Sequence, residues 1–193
     1  ADTISICKVQ KLKIGVMQGR LSPIVGDKIQ SFPWQNWRKE LREFNDLNLS
    51  RVEWTLDLKK YYRNPLLRNP AVVKQHLRGI NIDLSGLTSD AHMHGCFFTE
   101  SAYKIKKRSL EKLERRIIEA LSLFSNAYLV VPLVDESSLL HNRSRVNIVV
   151  GHYLQNQEFF QKSGVKVLFE TDLGPEENLR FIKSLPENTF DKA

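Results

Sequence analysis

The sequence is poor in cysteine, in long apolar runs and in linker-like stretches. Two cysteines, Cys7 and Cys96, stand among 193 residues, too few for a disulfide scaffold or a four-cysteine zinc site. Both read as free thiols, as in a reducing compartment. No stretch approaches the roughly 20 apolar residues of a membrane helix, and the opening ADTISICKVQKLK has no signal-peptide apolar core. The expectation is a cytoplasmic protein with no membrane partner. No Ser/Gly linker or low-complexity tract interrupts residues 1–193, so one domain is expected. Neither G-x-G-x-x-G nor G-x-x-x-x-G-K-[ST] occurs, which removes two common phosphate-cradling loops.

What is present is an ordinary folding composition, 41% hydrophobic and 26% charged. Lys and Arg number 29 against 22 Asp and Glu, a formal charge of +7. The cations are scattered. The densest run, Lys104 to Arg116, carries Glu111 and Glu114 within it and reads as the solvated face of a long helix. Nucleic acid is therefore a disfavoured partner, while an anionic small substrate such as a sugar phosphate suits a basic surface.

Strand and helix patterns alternate along the chain. Short apolar runs predict strands near 13–18, 51–56, 80–88, 127–134 and 165–170. Between them, Trp34, Trp37, Leu41, Phe44 and Leu47 recur at helical spacing. Asn69-Pro70 opens a helix that stops at Gly79, and Thr99 or Ser101 caps a long one through Phe124. A further helix is expected over 143–162, and another after Gly174-Pro175. About five strand–helix units give an α/β fold with a parallel sheet, either doubly wound or a (β/α) barrel. Polar groups cluster at the carboxyl ends of the predicted strands: Arg20, Glu53, Asp57, Asp90, Asp135, Glu170 and Asp172. In a barrel that edge carries the chemistry.

The series Ile14-Gly15-Val16-Met17-Gln18-Gly19-Arg20-Leu21-Ser22-Pro23, Val52-Glu53-Trp54-Thr55-Leu56-Asp57, Leu84 to Asp90, Val131 to Asp135 and Leu168 to Leu173 resembles the sugar-phosphate isomerase/epimerase family with a xylose-isomerase-like TIM barrel. The resemblance implies an eight-stranded barrel of about 250 residues, of which this chain supplies about five units before Ala193. The barrel is thus expected to be incomplete, whether as a fragment or as a natural truncation. The family holds a divalent metal (Mg²⁺, Mn²⁺, Co²⁺ or Zn²⁺) with a Glu, an Asp, a His and a second Glu from late strands. Glu170 matches the first of these, and the other three would fall beyond Ala193.

The implied reaction is isomerisation or epimerisation of a sugar or sugar phosphate next to its carbonyl. A carboxylate removes the proton and a metal steadies the enediolate oxygens. Glu170 is the expected metal ligand and acid/base carboxylate; without the resemblance it reads as an ion-paired strand-end residue. Arg20, Glu53, Asp90 and His94 are candidate substrate contacts. Arg20 reads equally as a solvated loop residue, and Glu53 as a buried structural carboxylate. Asp57 reads as a loop or cap residue. The pair His92 and His94 has weak spacing for metal binding, and His76, His141 and His152 read as surface residues. Cys96 has no obvious base beside it. Two other functions stay open: a metal-dependent phosphodiesterase acting on DNA, like endonuclease IV, which would need more His ligands, and an inactive barrel fragment that binds a partner or itself through open sheet edges. The 193 residues alone are expected to have little isomerase activity.

Overall fold

The computed structural model describes residues 13–24 and 31–186. Five parallel strands, β1 (Gly15–Met17), β2 (Arg51–Thr55), β3 (Asp83–Thr88), β4 (Tyr128–Leu133) and β5 (Lys166–Thr171), lie side by side in chain order. Helices form the crossovers: α1 (Trp37–Asp46), α2 (Pro65–Arg68), α3 (Pro70–Gly79), α4 (Asp90–His94), α5 (Glu100–Leu121), α6 (Arg143–Gln155) and α7 (Gln157–Ser163), with α8 (Pro175–Ser184) after β5. The fold is therefore α/β, with every neighbouring pair parallel as expected. The sheet is not closed. Among the described residues β1 and β5 are its two edges.

Alternation along the strands sorts the two faces. Val52, Trp54, Leu87, Leu129, Val131, Leu133 and Val167 are buried against the helices. Trp54 stacks edge-on against Trp37 of α1 at 5.7 Å and lies 5.6 Å from Phe32. The opposite, inner face carries Arg51, Glu53 and Thr55 on β2, Tyr128 and Val130 on β4, and Lys166, Leu168 and Glu170 on β5. Between β2 and β3 the register slips by one residue, Val52 facing Leu84 and Glu53 facing Gly86. The extra residue, Ser85, donates its hydroxyl back to the Val52 carbonyl at 3.0 Å.

Helix ends follow local chemistry. The Thr99 hydroxyl accepts from the Ala102 N–H at 3.3 Å and so caps α5, as its sequence predicts. The single helix expected over 143–162 is two. The chain breaks at Asn156, whose side-chain amide donates to the His152 carbonyl at 2.9 Å. The stretch after β3 makes one turn of helix, α4.

Candidate functional site

Loops at the carboxyl edge are held by one buried carboxylate, Glu40, and two half-buried ones, Asp57 and Asp172. Glu40 of α1, 1% exposed, accepts the Gly19 N–H at 2.9 Å and the Leu21 N–H at 3.0 Å. Burial lifts its carboxyl above the usual range, and the two backbone donors oppose that rise. Gly19 has φ +96°, and a Cβ there would lie 2.5 Å from the Ser31 carbonyl, so only glycine fits. Arg20 stands exposed between these two anchored residues. Asp57 accepts from Ser31 Oγ at 3.2 Å and the Phe32 N–H at 3.0 Å, a structural cap. Asp172 does the same after β5, accepting from the Ser138 hydroxyl and from the Leu139 and Leu140 N–H groups at 3.2 Å.

Glu170 differs from these carboxylates. It is exposed on the inner face, opposite Pro132, and makes no hydrogen bond or ion pair with a described residue. Asp90 is the first residue of α4 and is 4% exposed. His94, at the end of the same turn, lies 3.2 Å from Glu136 through Nδ1, and Cys96 Sγ lies 4.0 Å from the same carboxylate oxygen. Glu136, not singled out in the sequence, thus ties the loop after β4 to the turn after β3.

Glu53 lies deeper than the carboxyl edge. Its row across the sheet runs Met17, Glu53, Gly86, Tyr128, Lys166. Glu170 is four residues further along β5, about 13 Å at strand rise. Glu53 accepts from the Thr88 hydroxyl at 2.5 Å and the Tyr128 hydroxyl at 2.7 Å. Burial, then the bond to Glu53, raises the Tyr128 pKa, so the phenol stays a donor. Glu53 and Tyr128 line an inner-face hollow of about 340 Å³ with Met17 and Ser85. Glu53 and Glu170 therefore occupy two levels of the inner face.

A second polar cluster lies behind the sheet. Glu114 of α5 is 2% exposed, on the stripe of Leu110, Leu113, Ile117 and Leu121, which corrects its reading as part of a solvated face. His152 Nε2 lies 2.7 Å from one oxygen; the Tyr153 hydroxyl, at 3.1 Å, and His92 Nε2, at 3.4 Å, approach the other. Burial would raise the Glu114 pKa, but the charge and hydrogen bonds of His152 and His92 outweigh it and hold it at about 2. His152 is fully buried, not a surface residue, because it faces this carboxylate. His92 Nδ1 is 2.7 Å from the Ser89 hydroxyl. His92 thus turns inward while His94 turns to Glu136, and the two do not converge on one point. The signal for the cluster was a charged residue four positions from Leu110 and from Ile118, on an apolar helical face.

Among the described residues no three His, Cys, Asp or Glu side chains are grouped to hold a metal ion. Glu170 supplies one hard oxygen donor, and Asp172 is committed to backbone and hydroxyl groups. The donors described do not by themselves make up a divalent-metal site, since affinity follows ligand number and geometry. No helix among these residues is long and apolar enough to cross a membrane.

No protein-family model matches the sequence, and no curated protein matches it. Solved structures do match. One is the crystal structure of the apo form of 3-keto-D-glucoside 4-epimerase, YcjR, from E. coli, with 15% identity and a TM-score of 0.50. The match covers 82% of this chain and 56% of the epimerase. At that identity the likeness concerns the fold, and the chain spans little more than half of its neighbour.

Proposed function

We propose that this chain is part of a sugar or sugar-phosphate isomerase/epimerase whose chemistry lies on the inner face of the sheet at its carboxyl edge. The observation that carries the reading is Glu170: an exposed, unengaged carboxylate among the described residues, at the carboxyl end of β5, in a sheet ordered like the start of a barrel. The neighbouring carboxylates Asp57 and Asp172 are engaged as caps, whereas Glu170 is not and is available for proton transfer. The similar epimerase is named for inversion at the carbon next to a ketone, the same carbonyl-adjacent chemistry that the sequence resemblance implies.

In this reading Arg20 reaches substrate oxygens from the loop after β1, and His94 does so from the turn after β3. Glu53 and Tyr128 shape the floor below. A divalent ion, where one takes part, draws donors besides Glu170 from outside the described residues. The test is solvent exchange. The protein as its own cells make it, and the 193 residues expressed alone, are incubated in D₂O with aldoses, ketoses, their phosphates and 3-keto-glucosides. Deuterium is expected at the carbon beside the carbonyl for one substrate class with the natural protein, and little with the 193 residues alone. Glu170→Gln is expected to lower the rate at least 100-fold, within the range for loss of a general base. Unchanged exchange in that variant would remove Glu170 from the chemistry.

A further inference from the structure

We propose that a cleft at the amino end of the sheet binds a small organic phosphate. The cleft encloses about 350 Å³ beside the starts of β2, β3 and β4, the size of a small-ligand site. Four cations line it, Lys13, Arg51, Lys74 and Arg78, against a single carboxylate, Asp83. Lys13 meets Asp83 at 3.5 Å with both side chains exposed, a weak pair that leaves the excess of positive charge. Arg51 and Arg78 form no ion pair among the described residues, so both guanidinium forks are available for phosphate oxygens.

Lys74 is not a loose surface lysine. It is half-buried, its ammonium donates to the Leu123 carbonyl beyond the end of α5, and it lies 5.9 Å from the centre of the Phe124 ring. Its charge is fixed at the wall of the cleft before any ligand arrives, which lowers the ordering cost of binding. The apolar surface open to a ligand comes from the half-buried Phe124 and Tyr128 rings; Leu77, Ile82 and Leu84 also line the cleft but are each no more than 4% exposed. An anion alone would use only the cations. The apolar surface selects a phosphate that carries an organic body. A nucleic-acid strand needs a track of cations along successive phosphates, whereas this cleft holds one compact ligand.

The cleft lies at the opposite ends of the strands from Glu170, roughly 20 Å away at the rise of a six-residue strand. It shares Lys13, Arg51, Ser85 and Tyr128 with the inner-face hollow, but no residue of the carboxyl edge lines it, so it does not rest on the assignment of Glu170. Calorimetry of the 193-residue chain with phenyl phosphate, inorganic phosphate and a single-stranded oligonucleotide tests it. Saturable one-to-one binding of phenyl phosphate is expected, at least fivefold tighter than inorganic phosphate. Arg51→Gln and Arg78→Gln should each weaken it at least fivefold, while Arg143→Gln, outside the cleft, leaves it unchanged. Both cleft arginines are exposed, so the variants should fold; if Arg51→Gln lowers the melting temperature, Arg78→Gln decides alone. Absence of saturation, or equal affinity in the Arg78→Gln variant, would overturn the site. Equal binding of inorganic and phenyl phosphate would overturn the organic-body assignment. An oligonucleotide that binds more tightly with the same arginine dependence would overturn the small-molecule assignment.

Discussion

Gly86 and Gly151 show how one residue type takes opposite signs from its surroundings. A Cβ on Gly86 would lie 2.4 Å from the Tyr128 ring and 2.7 Å from its carbonyl. The absence of a side chain lets that ring lie against β3 and reach Glu53. Gly86→Ala is expected to cost about 1–3 kcal/mol, the range for overpacking, and to release the Tyr128–Glu53 bond. A Cβ on Gly151, inside α6, meets nothing within 4 Å. Gly151→Ala should therefore stabilise the chain by about 0.5–1 kcal/mol through helix propensity and unfolded-state entropy. Urea unfolding midpoints of the two variants should move in opposite directions, and a shared direction would contradict the packing described.

Glu114 gives the acid limb of stability a residue-level cause. Its carboxyl is held at about 2 in the fold, below its ordinary 4.5. A depressed acid stabilises the fold above its unfolded value and loses that contribution as pH falls through the folded one. The stabilisation is thus complete above about pH 5 and fades between 4.5 and about 2. Melting curves of the wild type and Glu114→Gln should differ most near neutrality and converge as pH drops through that window. A gap that stays constant with pH would show that the carboxylate charge is not what His152 and His92 hold.

Between elements, Asn64 is the joint from β2 to α2. Its side-chain oxygen accepts the Trp54 indole N–H at 2.9 Å and the Leu66 N–H at 3.1 Å, and its amide donates to the Thr55 carbonyl at 3.4 Å. All of this is buried, so Asn64→Ala leaves an indole N–H and a helix N–H without partners. The expected loss is about 2–3 kcal/mol, the cost of unsatisfied buried groups together with a lost cap. Guanidinium unfolding followed by tryptophan fluorescence would measure it. A loss below about 0.5 kcal/mol would show that water replaces the amide there.

At the scale of the whole molecule, the open sheet governs behaviour. β1 and β5 have no outer partner among the described residues, and Leu168 and Val130 are only half-buried on the inner face. Unpaired strand edges and partly bare apolar positions promote association. Expressed by itself, the 193-residue chain should run as a dimer or larger species in light scattering at tens of micromolar. A stable monomer would mean that its edges are covered from within.

The order of strands and helices was legible in the sequence because each depends on local pattern. The apolar run of β4, the period of α1 and the Asn-Pro start of α3 are readable within a few residues. So was the placing of Asp57 as a cap and of Glu170 at a strand end. Local pattern could not read what depends on register and on contacts across the fold. The depth of Glu53 follows from pairings through β2, β3 and β4. The capture of Asp172 by residues 138–140 joins groups more than 30 positions apart. The burial of Glu114 and His152 follows from their pairing across 38 residues, in which each makes the other's polarity tolerable inside the protein. The sequence by itself determined which segments become strands and helices, since that choice is made by neighbours along the chain. Which carboxylates are spent as caps, which are buried and which stay exposed without a described partner depends instead on groups that only the fold brings together.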